Sequence, residues 1–422
     1  MAGSNDMTLW VGVNPTAGSA LPSTAAGDYY EIPFARENLK PATSSTKSAL
    51  IRKDRQPADE VRTGMQVAGT LNGEVMHGAY TPLLEAALFS ADLAAVAADV
   101  AAMTLTIVSG TGSVTAASGT PFANLVVGDY FRMVNASGAN HGKTCRIVTK
   151  ASDTAVTVDS VELTDETSVA GYTINPGDHA VAGKQRRDVT VVKEFTDEAK
   201  YEVQLGHLLD GLTLGVRPNG IAEIGFNFRG RSVVPDFSGT FVLRDSDAAY
   251  VATGASAGSG ETAFSFPTIL GGAVNTAPAN PVMSTIRNAT IYIDGVPPTI
   301  VTELSLTVAN NVYGSQVVGV EGDRSIKPGS LAVTGSVGVL LEGAAQFALY
   351  QDAINDGAAA VSIKYSDADG RTYILHLGRA KLKPQGTENR GENQDIPLTL
   401  DFSAVIDATT NRTLRLHSWP AL

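Results

Sequence analysis

"DVTVVKEFTDEAKYEVQLG" (Asp188–Gly206) and "LDGLTLGVRPNGIAEIGFNFRG" (Leu209–Gly230) decide how the chain is read. Both are strand-like, with turn signals at Asp210-Gly211 and at Pro218-Asn219-Gly220. The composition agrees. Gly is frequent at 42 residues, Ala, Thr and Val are abundant, and the helix formers Lys, Glu and Gln are sparse, a balance that favours strands joined by tight turns. With 422 residues and 43% hydrophobic content, the chain is long enough for two or three domains with real cores and too apolar for wholesale disorder. The expected class is mainly β.

The same texture continues outward in both directions. From Met103 to Gly177 the runs "TLTIVSGTGSV", "FANLVVGDYFRMV", "KTCRIVTKASDTAVTVDSVELT" and "GYTINPG" are short alternating strands with Gly-rich turns, the pattern of a small all-β module. This segment is read as an insert over 103–183, which leaves 1–102 and 184–422 as one discontinuous domain. Strands resume in "ATIYIDGVPP", "IVTELSLTVANNV" and "SLAVTGSVGVL". A predicted helix follows, "EGAAQFALYQDAINDG", on which Phe347, Tyr350 and Ile354 share a face. In "AVSIKYSDADGRTYILHL" the pair Asp369-Gly370 supplies a tight hairpin turn. Ala248 to Asn280, rich in Ala, Gly and Ser, reads as a long surface loop. No short-period repeat is visible.

The closest approach to a membrane segment is "TPLLEAALFSADLAAVAADVAA", Thr81 to Ala102. Its Thr-Pro start fits a helix N-terminus, and the run predicts a helix of roughly 30 Å. Glu85, Asp92 and Asp99 lie seven apart and fall on one stripe of such a helix. Spanning a bilayer would cost about 2.5 to 3.5 kcal/mol for each central charge. A core helix with a solvated acidic edge is the expected outcome. The N-terminus "MAGSNDMTLW" lacks the basic and apolar regions of a signal peptide, so folding in a cytoplasm is expected. Cys145 is the single cysteine, which excludes an intramolecular disulfide and a multi-thiolate zinc site; it is expected to be a small buried residue.

Motifs for chemistry fail on close reading. "SGANHGKT", Ser137 to Thr144, has Ser where a phosphate-binding loop needs its first Gly, and a strand-like run rather than a helix follows it. "GASAG", Gly254 to Gly258, satisfies G-x-S-x-G inside the small-residue segment, without the strand and helix a nucleophile elbow needs. The histidines, His77, His141, His179, His207, His376 and His417, show no metal-ligand spacing. "DADG", Asp367 to Gly370, lacks the third acidic ligand and terminal Glu of a calcium loop. No cofactor and no catalytic residue is assigned, and an enzyme is not expected.

"KPATSSTKSALIRKDRQ", Lys40 to Gln56, stands apart from an otherwise acidic chain. The protein carries 31 Lys+Arg against 43 Asp+Glu, a net charge of −12, yet here Lys40, Lys47, Arg52, Lys53 and Arg55 face Asp54 alone. With almost no apolar residue from Pro41 to Ala49, the segment is expected to be an extended, solvated arm.

Three segments carry a resemblance. "IPFARENLK" with "LIRKDRQPADEVRTGMQVAGTLNGEV", then "DVTVVKEFTDEAKYEVQLGHLLDGLTLGV", then "TELSLTVANNVYGSQVVG" through "GRAKLKPQGTENRGENQDIPLTLDFSAVID", resemble in order and character the tail tube (major tail) proteins of long-tailed, non-contractile bacteriophages. The resemblance covers nearly the whole chain apart from Met103 to Gly183. It implies a β-sandwich or barrel flanked by a helix, six subunits in a ring whose inner strands close one β-barrel, and rings stacked into a tube that conducts DNA. It also implies the partners: further copies of the chain, the tail tip, tape measure and terminator proteins, and DNA that passes without specific binding. The family's place is the virion tail, assembled in the bacterial cytoplasm. The insert resembles small β modules that project outward from longer tail tube proteins. The long loop after the first strand, which reaches an adjacent subunit or ring in that family, corresponds to Lys40 to Gln56. Its cations would dock on acidic surface, with Glu85, Asp92 and Asp99 as a candidate, and such an arm is expected to gain its order only from its partner. The alternative is a nucleic-acid-binding protein using the arm directly, against which stand the pI near 5.0 and the lack of aromatics among the arm's cations. A second alternative is another virion structural protein, a head decoration or tail terminator subunit.

Overall fold

The computed structural model describes residues 6–14, 16–50, 53–54, 56, 59–91, 93–95, 102–159, 163–293, 301–318, 322–341, 343–387 and 396–422. Strands dominate, and they bury alternate residues. In Val301–Ala309, Leu304, Leu306 and Val308 are buried while Glu303, Ser305 and Thr307 point to solvent, the period-two pattern of a sheet with one wet face. One core joins residues from two layers. Leu212, Leu214, Phe226, Leu304, Leu306, Val337 and Leu400 come from one, and Leu9, Val11, Val189, Val191, Val361, Ile363 and Leu375 from the other. The result is a β-sandwich with a polar outer sheet face.

The chain traces the same path twice. In the first unit Lys40–Lys47 pairs with Glu60–Glu74, which pairs with Glu223–Gly230, which pairs with Lys200–Val216. That long strand also pairs with Val189–Phe195, and Val189–Phe195 with Met7–Val13. In the second unit Val301–Ala309 pairs with Ala332–Leu340, which pairs with Pro397–Ala404, which pairs with Thr372–Thr387. That long strand pairs with Ala358–Ser366, and Ala358–Ser366 with Ala289–Ile293. A helix follows the second strand of each unit, Thr81–Ala87 and Ala344–Ile354, and each packs on its unit's long strand. Gly211 to Val216 pairs with Ala309 to Leu304 and joins the units edge to edge.

Between the first helix and Val189–Phe195 the strands from Met103–Val108 to Glu166–Asn175 close into a six-stranded barrel. Its core includes Leu105, Phe122, Phe131, Met133, Ile147 and Tyr172, and Cys145 is fully buried in it. The barrel strands end at Asn175. Asp178–Val181, grouped with the insert on sequence, instead pairs with Arg415–Trp419 and with Ala94–Ala95 in the main sheet.

Several expectations are corrected. The helix predicted from Thr81 to Ala102 ends at Ala87: Phe89 takes a left-handed φ of 48°, and the Ala-rich stretch beyond supplies the strand Ala94–Ala95, so sheet pairing overrides helix propensity. On Ala344–Ile354 the buried face is Gln346, Leu349 and Ala353, whereas Phe347 and Ile354 are 57% and 60% exposed. The shorter side chains lie against the strand beneath. Asp210-Gly211 makes no turn; Lys200–Val216 runs through it with a bulge. The presumed loop from Ala248 to Asn280 contains Tyr250–Thr253, Glu261–Ser265 and a short helix, Phe266–Leu270. The two strands flank Thr240–Arg244 in a small sheet, whose Phe241, Phe264 and Phe266 share a core. The hairpin at Asp369-Gly370 forms as expected, with Gly370 at φ 84° and Ser366 opposite Thr372.

Candidate assembly surfaces

The basic arm is one half of a hairpin. All eight residues of Lys40–Lys47 are exposed, as is Lys53; Arg52 and Arg55 lie outside the described residues. Its order does not wait for a partner, because Lys40 to Lys47 pairs with Ala68 to Glu60. Leu50 and Val61 stand 73% and 56% exposed near its free end. The root is fixed by Lys193, a buried cation. Its Nζ donates to Leu39 O at 2.5 Å and pairs with Glu37 at 3.1 Å and Glu202 at 3.5 Å. A buried cation is stable only when so satisfied, and here the satisfaction sets where the arm leaves the sandwich.

Of the acidic stripe expected on a long helix, the one described residue, Glu85, does not face solvent. Glu85 is buried, its Oε2 3.2 Å from Arg187 and its Oε1 accepting from the Leu93 amide at 2.6 Å. It therefore ties the chain leaving the helix to the strand region at Arg187. Asp92 and Asp99 lie outside the described residues.

The joined sheet presents one continuous polar face. Cross-strand register lines up Asn72, Gly225, Thr213, Thr307, Thr334 and Ser403, one from each of six strands and three from each unit. The adjacent row is Glu74, Glu223, Gly215, Ser305, Ser336 and Asp401. Glu303 extends the acidic character. Arg229, the cation within this face, is paired with Asp323 at 3.1 Å. Arg36, Lys381 and Lys383 sit at its two margins. A polyanion meets hydroxyls, glycines and carboxylates here, with no row of free cations among the described residues.

The barrel is seated on the opposite side of the sandwich. Ile374 and His376 point away from the core that takes Tyr373 and Leu375, and Tyr130 of the barrel packs with Ile374 and Trp419. The Tyr130 hydroxyl donates to Ser362 Oγ at 2.7 Å, and Ser362 in turn shares a hydrogen bond with His376 Nδ1 at 2.9 Å. Arg132 donates to Gly370 O at 2.6 Å and Pro420 O at 2.8 Å, Trp419 Nε1 to Asn175 O at 3.0 Å, and Arg415 pairs with Asp129. Burial holds the His376 imidazole down at about 3, with Arg146 and Arg415 acting in the same direction and Asp407 against it. His417 is lowered for the same reason, with His179 and His376 beside it, and burial pushes Tyr130 up to about 12. Buried side chains and hydrogen bonds from both parts make this seat a fixed joint.

Ser137 to Thr144 is a turn followed by the strand Thr144–Ser152, and Gly254 to Gly258 lies between two strands of the small sheet. Neither stands at the N-terminus of a helix. Among the described residues no cluster of three His, Cys, Asp or Glu side chains is arranged to hold a metal ion, and no helix is long and apolar enough to cross a membrane.

A doubled sandwich with sheet edges unpaired among the described residues, an exposed hairpin and a polar face has the features of a structural protein. The chain matches the family described as "Phage tail tube protein" over residues 4–404, and it belongs to that family, one of structural virion tail components rather than enzymes. No curated protein matches the chain.

Proposed function

We propose that the chain assembles into stacked rings of six sandwich units that form the phage tail tube, and that DNA leaves the virion through the lumen without being bound. The observation that carries this reading is the row Asn72, Gly225, Thr213, Thr307, Thr334 and Ser403, which crosses both units with its acidic neighbour row. A conduit for a polyanion must not hold phosphates, and cationic linings do hold them. With this face on the lumen, the barrel falls on the exterior, since the two surfaces lie on opposite sides of one core. The arm projects from the edge of the inner sheet and reaches a neighbouring copy. The tip, tape measure and terminator proteins are the other partners, assembly takes place in the host cytoplasm, and the chain has no catalytic role.

Cryo-electron microscopy of tubes grown from the purified protein tests this. The expected map shows the Thr213–Thr307 seam on the lumen and the barrel outside. A map with that seam buried or outward refutes the lumen assignment, and protein that forms neither rings nor tubes refutes the tube reading.

A further inference from the structure

The contact that joins the two units is left open at the far side of the second one. We propose that another copy completes it: the edge from Lys383 to Thr387 of one chain takes the edge strand Arg36–Glu37 and Lys40–Lys47 of the next, so that a ring of six units contains three chains. This rests on the tube reading for the number six, and on the fold for everything else.

Each long strand has two sides. On one side of Lys200–Val216 lie Ser232–Val233 and then Glu223–Gly230; on the other lie Val189–Phe195 and then Val301–Ala309. On one side of Thr372–Thr387 lie Arg415–Trp419 and then Pro397–Ala404. On the other lies Ala358–Ser366, whose first residue sits opposite Lys381. Beyond Leu382, whose amide donates to Gly357 O at 3.3 Å, that side has no strand partner among the described residues. The position left open is the one that Val301–Ala309 occupies in the first unit.

The sequence echoes the equivalence. Val192-Lys193, Phe195-Thr196-Asp197 and Leu205-Gly206 in the first unit stand where Ile363-Lys364, Tyr365-Ser366-Asp367 and Leu377-Gly378 stand in the second. The counterpart of Val301–Ala309 is the strand region from Arg36 to Lys47, because each pairs with the strand that precedes its unit's helix. Among the described residues that region pairs with Glu60–Glu74 alone, so its outer edge is open too. The chain thus carries one open edge of each kind, at its two ends. Unpaired edges invite strand addition, and a head-to-tail contact between unlike surfaces makes a ring when its rotation closes. The internal joint between the units already shows the geometry of that contact.

Two measurements on assembled protein test this. Rings released from tubes should weigh about 131 kDa, three chains of 43.8 kDa, and not about 263 kDa, the mass of six. Tubes of the double variant Lys40→Cys/Gln385→Cys, oxidised and then denatured, should give a covalent ladder that ends at three chains, while each single variant stays monomeric. Rings of six chains, or a ladder that runs to six, overturn the inference and leave the tube reading standing. Double-variant tubes that show no cross-link beyond the single variants overturn the edge assignment. Absence of rings and tubes altogether defeats both.

Discussion

The barrel and the arm are both additions to the doubled sandwich, and they are finished to different degrees. The barrel closes its own hydrogen-bond circuit, fills its own core and sits on a buried seat of Tyr130, Ile374 and Trp419. The arm has one paired edge, one open edge and eight exposed residues on its first strand. A closed barrel has no edge to offer, whereas an open hairpin presents a row of unpaired backbone groups. The difference separates their roles: the barrel is fixed to the chain by its own contacts, and the arm offers an edge that, on our proposal, a neighbouring copy completes.

Acid should act first on the finished region, and this is the largest effect expected. His376 is neutral in the fold, its value held down at about 3, and takes a proton in the unfolded chain at its ordinary value of 6.5. Stability from this group is whole above pH 6.5 and is lost as pH falls from there toward 3, about 2 kcal/mol by pH 5. His417, and His207 within Lys200–Val216, are shifted in the same direction. Thermal unfolding followed from pH 7.5 to 5 should show a steep fall in Tm. In His376→Gln the proton uptake on unfolding near pH 5 should drop by about one. An unchanged slope in that variant would mean that His376 titrates normally in the fold.

Changes to the arm should be silent in the monomer and visible only in assembly. Lys47→Glu/Lys53→Glu alters exposed side chains, so the unfolding free energy should stay within about 0.5 kcal/mol of the parent. Tube growth at moderate salt, followed by light scattering, should slow about tenfold if these cations lie in the contact with the neighbouring copy. Growth at the parental rate would remove these cations from the docking contact.

The legible part of the molecule was the part governed by local pattern. Alternating runs such as those in Val301–Ala309 announce a half-buried sheet, and the Gly-rich turns of the insert announce a compact β module. What stayed hidden depends on pairing between distant residues. Ala94–Ala95 became a strand because Asp178–Val181 lies beside it, and no reading of Thr81 to Ala102 alone supplies that neighbour. The doubling is not legible in the sequence, because the barrel interrupts the first unit and the echoes are short. Glu85 looked like surface because its partner Arg187 is 102 positions away in sequence, across the whole insert. The polar face was invisible as a unit, since its two rows each draw one residue from each of six separated strands.

The smallest effect expected is a null one, and it bears most directly on the claim that this protein forms an inert conduit. Fluorescence anisotropy of a labelled duplex added to assembled tubes across a salt series should show no appreciable binding at physiological salt if, as we propose, the polar sheet face lines the lumen and the arms engage between chains, since that face shows no row of free cations among the described residues. A binder that used the five cations of Lys40 to Gln56 would instead grip DNA tightly, with a slope of log K on log salt of roughly −4 to −5. Such a slope, measured on tubes, would contradict the conduit and establish a nucleic-acid-binding surface in its place.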